Sequence, residues 1–216
     1  MGRRGLREIL DDAAGGIFPP SDGTVTVVPQ PSAREVGVMS FSAHAVVFTD
    51  EDPAWVREIL AGVPGDPLAA PLCPPFLTAF AERTGRVVNN IDLVTVADRL
   101  PGGPPLPLER VEDPEHPRIA RALRYRDGVR AWTTPGGVLA LGRGVAGRWE
   151  AAIEVDAAAR GRGVGRALAV SARHLLPEGE HIWAQQAPGN APSVRAFQAA
   201  GYRPVGAEAL LVAGRP

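Results

Sequence analysis

The pattern of apolar and polar positions divides the first half of the chain into short strands and helices. β-Branched runs in "TVTVV" and "EVGVMSFSAHAVVF" predict strands between Thr24 and Asp50, with a tight connection near Ser42. Asp52 is placed to cap a short helix that begins at Pro53. A second helix is predicted over "PPFLTAFAERTG", and strand-like character resumes in "RVVNNIDLVTV". These elements predict an α/β region over residues 23–108.

Two less regular segments flank this region. Residues 1–22 mix charges, glycines and a pair of prolines, which predicts a loose N-terminal tail or a short frayed helix with little part in the fold. The proline-rich stretch "LPGGPPLPLER", from Leu100 to Arg110, is typical of a linker. We therefore expect a second domain over residues 109–216.

The second half of the chain has a different pattern of predicted elements. A helix entered through prolines and closed at Gly128 precedes three strand patterns, "VRAWTT", "VLALGRG" and "RWEAAIEVD". Turn-forming residues separate them, which predicts consecutive antiparallel strands. After Asp156 come a glycine-rich stretch, a helix from about Gly163 to Leu176, the strand "HIWAQQ", a second helix and a final strand. The fold class is therefore α/β (α+β), with helices flanking a mixed sheet.

Composition removes several classes of function. The chain has 216 residues, 45% of them hydrophobic, and a formal net charge of −1, so no general field attracts nucleic acid or anionic lipid. It contains no lysine, which excludes a lysine Schiff base and a P-loop lysine. Its one cysteine, Cys73, is expected to be structural. The sequence contains no secretory or membrane-spanning pattern, so a cytoplasmic protein with no membrane or nucleic-acid partner is expected.

The stretch "ARGRGVGRAL", from Ala159 to Leu168, carries the clearest chemical signal. It follows a strand and opens a helix, where free amides, flexible glycines and arginines suit a pyrophosphate. The alternative to a pyrophosphate site is a purely structural one: a flexible, glycine-rich turn next to a surface helix whose arginines are solvated. The stretch lacks the Walker ending and the G-x-G-x-x-G spacing. A literal G-x-G-x-x-G at Gly142, Gly144 and Gly147 lies between two strands, so it is interpreted as a hairpin coincidence.

Two motifs in this half resemble those of the GNAT superfamily of acyl-CoA-dependent N-acyltransferases. Arg160-x-x-Gly163-x-Gly165 is similar to motif A, Arg/Gln-x-x-Gly-x-Gly/Ala. "PGNAPSVRAFQAAGYRPV" is similar to motif B, in which an asparagine starts a helix and a Gly-Phe/Tyr pair ends it. Asn190 fits the helix cap and Gly201 the left-handed stop. The resemblance covers roughly Pro114 to Ala213.

The resemblance implies a GNAT fold and acetyl-CoA as acyl donor, with no metal. In the family two parallel strands splay apart, and the pantetheine arm lies in the gap. The residues implied in binding the donor are Ile153, Val155, Arg160, Gly161, Arg162, Gly163, Val164, Gly165, Arg166, Asn190, Ser193 and Phe197. Within this set, the backbone near Ile153 and Val155 would hold the arm, and the amides from Arg160 to Gly165 the pyrophosphate.

The catalytic positions depart from the family pattern. Where many relatives place a tyrosine that protonates the leaving thiolate, this chain has Phe197. Where some N-terminal acetyltransferases place a glutamate base, it has Gln185, which is suited only to polar positioning. Glu154 is the first candidate base and Glu150 the second, both on one face of a strand unless a bulge changes the alternation. A solvent-facing or ion-paired role is the alternative for Glu154, and a relayed water could serve as base.

Other candidates for chemistry are assigned to structure. His44 is expected to be a hydrogen-bonded core or edge histidine rather than a functional one. The remaining histidines show no metal-ligand spacing. Trp132, Trp149 and Trp183 fall in strands and are expected in the core.

Two functions remain open at this point. The first is an N-acetyltransferase that acts on the primary amine of a small molecule or a protein N-terminus. The second is a catalytically inactive GNAT-fold module that binds CoA. The N-terminal half could supply the family's first strand and helices, form an acceptor-binding cap, or be a decayed acyltransferase copy. The resemblance also implies a homodimer, because dimers are frequent in the family.

Overall fold

The structure is a computed structural model that describes residues 4–214. Within this range the chain forms six α-helices and ten β-strands, and the mixed α+β fold class is the one that the sequence predicts. The helices are α1 (Leu6–Ala14), α2 (Pro53–Ala61), α3 (Pro74–Thr84), α4 (Pro117–Tyr125), α5 (Val164–His174) and α6 (Ala191–Ala199). The strands are β1 (Val25–Val28), β2 (Glu35–Phe41), β3 (His44–Phe48), β4 (Arg86–Asp98), β5 (Glu109–Val111), β6 (Asp127–Thr134), β7 (Gly137–Arg143), β8 (Trp149–Val155), β9 (His181–Gln186) and β10 (Arg203–Ala213).

The chain divides into two compact units. The first comprises Met1–Leu93 and Val205–Pro216, and the second comprises Val94–Pro204. The division falls inside β4 and not at the proline-rich stretch, where the sequence placed it. In that stretch Leu106 and Leu108 pack against the core of the second unit, so these residues are part of a folded unit.

The first unit contains the strand order β1-β3-β2-β10. β1 and β3 are parallel, whereas β2 is antiparallel to both β3 and β10. One face of these strands forms a core with α2 and α3, to which Val27, Val47, Val56, Phe76 and Phe80 contribute. Asp52 caps α2 by accepting a hydrogen bond from the backbone amide of Ala54 over 2.8 Å. The tight connection between β2 and β3 near Ser42 and the cap at Asp52 are those that the sequence predicts.

The segment before β1 differs from its prediction. Residues 6–14 form α1, whose apolar side Leu6, Ile9, Leu10, Ala13 and Ala14 is buried. This side repeats at helical spacing, so the segment is a packed amphipathic helix. Of the two alternatives, the short helix is the one that forms, but the expectation that it has little part in the fold was wrong because its apolar side is buried. Met1, Gly2 and Arg3 lie outside the described residues.

The second unit contains the strand order β9-β8-β7-β6-β5, with the end of β4 beside β9. Pairing is antiparallel from β5 to β8, and β8 and β9 are parallel. One face packs against α5 and α6 through Leu139, Leu168 and Phe197, and the opposite face packs against α4 through Ile119 and Val138. The β-meander followed by a crossover helix is the predicted arrangement.

The end of one helix and the presence of one strand in this unit differ from prediction. α4 ends at Tyr125, and Gly128, which was expected to close it, lies within β6 with a φ of 58°. The three-residue strand β5 was not predicted because it lies in the proline-rich stretch, where no alternation is visible. The sequence predicts that three tryptophans lie in the core, and all three are buried in strands: Trp132, Trp149 and Trp183.

Candidate functional site

The parallel strands β8 and β9 pair only where they begin. In the described residues their register consists of Trp149↔Ile182 and Glu150↔Trp183, while β8 continues to Val155 in an unbroken antiparallel ladder with β7. Exposure changes at the same point, because Trp149 to Ala151 are buried and the rest of β8 is half-buried. The backbone of β8 on its β9 side is therefore open toward its carboxyl end.

The glycine-rich stretch follows this open end directly. Gly161 and Gly163 have φ of 76° and 82°, a left-handed conformation that favours glycine, and α5 begins at Val164. A Cβ atom added at either glycine would meet nothing within 4 Å. These glycines are thus required by backbone conformation and not by close packing, and they leave the amides at the start of α5 approachable.

Three arginines surround the start of α5. Arg160, Arg162 and Arg166 are exposed, and none of them pairs with a carboxylate of the described chain. Exposed arginines without acidic partners raise the local positive potential, which adds to the partial positive charge of a helix N-terminus. The stretch is therefore suited to an anion.

Gly165 brings three elements together. A Cβ atom at this position would lie 3.4 Å from Cγ2 of Val155, 3.7 Å from Cβ of Ala196 and 3.9 Å from Cδ1 of Ile153. The first turn of α5 therefore lies against the open end of β8 and against α6. Asn190 caps α6, with its Oδ1 accepting a hydrogen bond from the backbone amide of Ser193 over 3.2 Å, as motif B predicts.

Glu150 lies at the paired end of β8 inside a buried polar cluster. Its carboxylate accepts hydrogen bonds from Nε of Arg126 at 2.8 Å, Nε of Arg148 at 2.9 Å and Nε2 of Gln185 at 3.1 Å. The backbone amide of Val145 adds a contact of 3.3 Å. Burial acts to raise the pKa of Glu150, but the charges and hydrogen bonds of Arg148 and Arg126 outweigh it, so the pKa lies below its ordinary value.

This environment does not suit the role of second candidate base that the sequence suggested for Glu150. A carboxylate that two guanidinium groups hold in the charged form is a weak proton acceptor. Gln185 belongs to the same cluster, because its Oε1 also accepts from Nη2 of Arg126 over 3.3 Å. Glu150 and Gln185 therefore meet as parts of one buried charge cluster.

Two glycines of the coincidental G-x-G-x-x-G have a role in this cluster. A Cβ at Gly144 would lie 2.3 Å from the carboxylate of Glu150, and one at Gly142 would lie 2.9 Å from Cβ of Arg126. Both glycines therefore make room for the ion pair. The hairpin interpretation is confirmed, but sequence reasoning missed this function and missed Arg126 and Arg148, since no spacing links them to Glu150.

Glu154 lies on the same face of β8 as Glu150 but in a different environment. The β7–β8 register is continuous, without a bulge, so alternation places both side chains on the α4 side. The side chain of Glu154 is 42% exposed and pairs with Nε of Arg118 over 3.3 Å. Glu154 is therefore an accessible carboxylate beside the open end of β8, with one partner.

The motif B helix ends in an aromatic pair. Phe197 is buried, and its ring meets that of Tyr202 edge-on, with centroids 4.8 Å apart. The hydroxyl of Tyr202 donates to the backbone carbonyl of Ala169 over 3.1 Å, and burial raises its pKa although Arg173 acts in the opposite direction. In this structure Phe197 belongs to the core and the phenol of Tyr202 is already engaged.

Two kinds of feature are absent from the described residues. No group of three or more His, Cys, Asp or Glu side chains in residues 4–214 could hold a metal ion. None of the helices in this range is long and apolar enough to cross a membrane.

Comparison with known proteins finds similarity among solved structures only. No protein-family model and no curated protein matches the sequence. A protein assigned to the GNAT acetyltransferase family, from Novosphingobium aromaticivorans DSM 12444, is 18% identical with a TM-score of 0.43, over 61% of this chain and 69% of that one. A GCN5-related N-acetyltransferase from Kribbella flavida is 16% identical with a TM-score of 0.43, over 99% and 98% of the two chains.

A third similar structure is a tandem GNAT protein from the clavulanic acid biosynthesis pathway, solved without acetyl-CoA. It is 17% identical with a TM-score of 0.41, over 67% of this chain and 60% of that one. All three are described as GNAT or GCN5-related proteins, the family that the two sequence motifs resemble.

Proposed function

We propose that this chain is an acyl-CoA-dependent N-acyltransferase of the GNAT superfamily. It transfers an acetyl group from acetyl-CoA to the primary amine of a small molecule or a protein N-terminus. One observation carries the proposal: the β8–β9 ladder stops after Glu150↔Trp183, and the open end of β8 leads into a glycine loop at the start of α5. An unpaired strand edge beside an anion-binding helix start suits a ligand with an amide-containing arm and a pyrophosphate.

The donor-binding roles follow from this arrangement. The amides from Arg160 to Gly165, which include that of Val164, would bind the pyrophosphate, and Arg160, Arg162 and Arg166 would add charge around it. The backbone of Ile153 and Val155 would hydrogen-bond the arm. The position of Gly165 supports this role, because a Cβ there would touch Val155, which places the first turn of α5 beside the open end of β8. Asn190 and Ser193, at the start of α6, would lie near the thioester.

The chemistry requires a neutral amine and a leaving thiolate. The amine nitrogen forms a bond to the thioester carbon, the C–S bond breaks, the amine loses a proton and the thiolate gains one. We assign the first proton transfer to Glu154, directly or through a water, since its carboxylate is accessible and lies on β8. Phe197 has no proton to give, so we assign the second transfer to water.

Glu150 has a different role in this proposal. It is a buried structural anion that positions Arg126, Arg148 and Gln185. By fixing β8 beside β9 at their paired end, the cluster sets the point at which the two strands part. Glu150 is thus a positioning residue, and Gln185 a polar support.

A second candidate function is a CoA-binding module without turnover. Two observations favour it: the aromatic residue of motif B is a buried phenylalanine, and Glu154 is engaged with Arg118. The two functions share the donor site and differ only in acyl transfer to an amine.

An amine panel distinguishes these functions. The purified chain is incubated with acetyl-CoA and small primary amines or peptides with a free α-amine, and the released thiol is measured. The enzyme proposal predicts amine-dependent thiol release that is lost in Gly163→Asp and kept in Gly179→Asp. Gly179 is a matched control, because it also has a positive φ, 76°, and open surroundings. Donor binding without thiol release for any amine would favour the module.

A further inference from the structure

The first unit contains a cavity that the proposed acyl transfer does not use. Its volume is about 520 Å³, within the range of small-molecule sites. Side chains of α1 and of the segment after it form one wall, including Ile9, Ile17 and Phe18, and side chains of β1 and β3 form another. The walls are mainly apolar, with polar groups from Asp22, Thr24, Thr26 and His44 among them.

His44 connects two of these polar groups. Its side chain is 4% exposed; Nδ1 lies 3.0 Å from Oδ1 of Asp22, and Nε2 lies 3.0 Å from Oγ1 of Thr26. Because a carboxylate oxygen can only accept, Nδ1 carries a proton, and in the neutral imidazole Nε2 then accepts from the hydroxyl of Thr26. The prediction of a hydrogen-bonded, buried histidine is thus confirmed, and its partners form a hydroxyl–imidazole–carboxylate chain.

Asp22 is held as the charged end of this chain. Its Oδ1 also accepts from the amide and the hydroxyl of Thr24, over 2.9 and 2.8 Å. The hydrogen bond from His44 is the main cause that lowers the pKa of Asp22 to about 2. Asp22 therefore orients the imidazole and remains ionised near neutral pH.

Thr26 lies at an accessible position. It is exposed, and β1 is the outermost strand of the first unit's order. The carbonyl of Thr24 accepts from the amide of Ala45 on β3, and the carbonyl of Val28 accepts from the amide of Thr49, the residue after β3. Because backbone groups alternate along a strand, the amide of Val27, the residue after Thr26, points to the unpaired edge of β1. Val27 also lines the cavity. A backbone donor beside a hydroxyl with a base is the arrangement that stabilises a tetrahedral oxyanion.

We infer that Thr26, His44 and Asp22 form a second catalytic site, which hydrolyses carboxylic esters with a short apolar acyl chain. Oγ1 of Thr26 bonds to the ester carbon while its proton passes to Nε2 of His44. The bond to the alkoxide then breaks, and the alkoxide takes that proton. Water attacks the acyl-threonine by the same route, which releases the carboxylic acid and restores the hydroxyl. The apolar wall at Ile9, Ile17 and Phe18 accommodates the acyl chain.

The test uses the full chain and p-nitrophenyl butyrate, with no CoA present, so its result is independent of the proposed acyl transfer. We expect Thr26→Val to reduce kcat by about 100-fold or more, because it removes the hydroxyl and keeps the β-branched shape. Thr26→Ser should retain activity. Thr133→Val is the matched control: it makes the same exchange on β6, at a residue that does not line the cavity, and activity should stay within about threefold.

Two further measurements separate catalysis from loss of structure. Asp22→Asn should lower kcat with little change in KM, as expected for a residue that positions the imidazole. Diethyl p-nitrophenyl phosphate should modify the protein, with the adduct on Thr26 by peptide mass mapping, and should not modify Thr26→Val. Absence of hydrolysis by the unmodified chain, equal hydrolysis by folded Thr26→Val, or an adduct on another residue would overturn the inference.

Discussion

The two ends of β8 differ in nearly every physical respect, although one strand forms both. From Trp149 to Ala151 the strand is buried and pairs with β7 on one side and, at its first two residues, with β9 on the other. From Ala152 to Val155 it is half-buried and pairs in the described residues with β7 alone. The paired end fixes geometry, and the open end leaves backbone groups and space for a ligand.

The two glutamates of β8 show the same contrast. Glu150 is 3% exposed and held by two arginines, whereas Glu154 is 42% exposed and held by one. They are the same residue type on the same face, so the environment decides their chemistry. Glu150 is a fixed counter-charge, and Glu154 is the more accessible of the two carboxylates, which is why we propose Glu154 as the base.

The largest expected effect is on stability at the paired end. Glu150→Gln leaves two buried guanidinium groups without a counter-charge, so we expect the free energy of unfolding to fall by about 3–5 kcal/mol. Glu154→Gln removes a partly exposed pair and should cost about 0–1 kcal/mol. Urea unfolding of both variants measures the difference, and equal losses would show that the two ends do not differ as described.

At the open end we expect the effect on catalysis. If Glu154 accepts the proton of the amine, Glu154→Gln lowers kcat for acetyl transfer by about 100-fold, since general-base catalysis contributes at least this much. The donor affinity should stay near that of the unmodified chain. Steady-state kinetics with an accepted amine tests this, and an unchanged kcat would leave the proton transfer to water alone.

The pH dependence of stability sharpens the contrast. The pKa of Glu150 is lower in the folded state than its ordinary value of 4.5. Its stabilisation is therefore complete above pH 4.5 and is lost as the pH falls through the lower folded pKa. The difference in unfolding free energy between the unmodified chain and Glu150→Gln should shrink below pH 4.5. Asp22, with a pKa of about 2, titrates in both proteins and cancels. A difference that stays constant in acid would contradict the assignment.

The smallest effects are expected in the glycine motif. Gly165→Ala should raise the free energy of unfolding by about 0.4–1 kcal/mol, because its Cβ would lie at an ordinary contact distance, 3.4 Å, from Val155 and the residue is helical. Gly163→Ala should lower it by about 1–2 kcal/mol, because its φ is 82°. Thermal unfolding of the pair tests whether conformation or packing requires each glycine.

Local signals in the sequence predicted most of the second unit's elements. The β-branched runs, the cap at Asn190 and the glycine at Gly201 each act through neighbouring residues, so pattern alone identifies them. A short helix at α1 was one of two alternatives, but its packing was not foreseen, because its charges and flanking glycines obscured a narrow apolar side. The compact units divide inside β4, whereas the prolines suggested a boundary near residue 108, because prolines mark chain irregularity and not the limits of packing.

The site was less predictable because its contacts are distant in sequence. Arg126 and Arg148 meet Glu150 from the end of α4 and from the turn before β8, and neither has a spacing that marks it. Gly142 and Gly144 matched a nucleotide-binding pattern although their function is to admit an ion pair. Residue type indicated candidates for catalysis, but only three-dimensional neighbours separate a buried counter-charge from an available base.

The most direct test of the account is calorimetric titration with acetyl-CoA of the unmodified chain, Gly163→Asp and Gly179→Asp. Gly163→Asp adds a side chain and a negative charge to the proposed pyrophosphate site. Gly179→Asp adds the same group at another open, positive-φ glycine. We predict micromolar binding by the unmodified chain and by Gly179→Asp, with binding lost in Gly163→Asp. Absence of binding by the unmodified chain, or equal binding by all three proteins, would contradict a CoA site at the open end of β8.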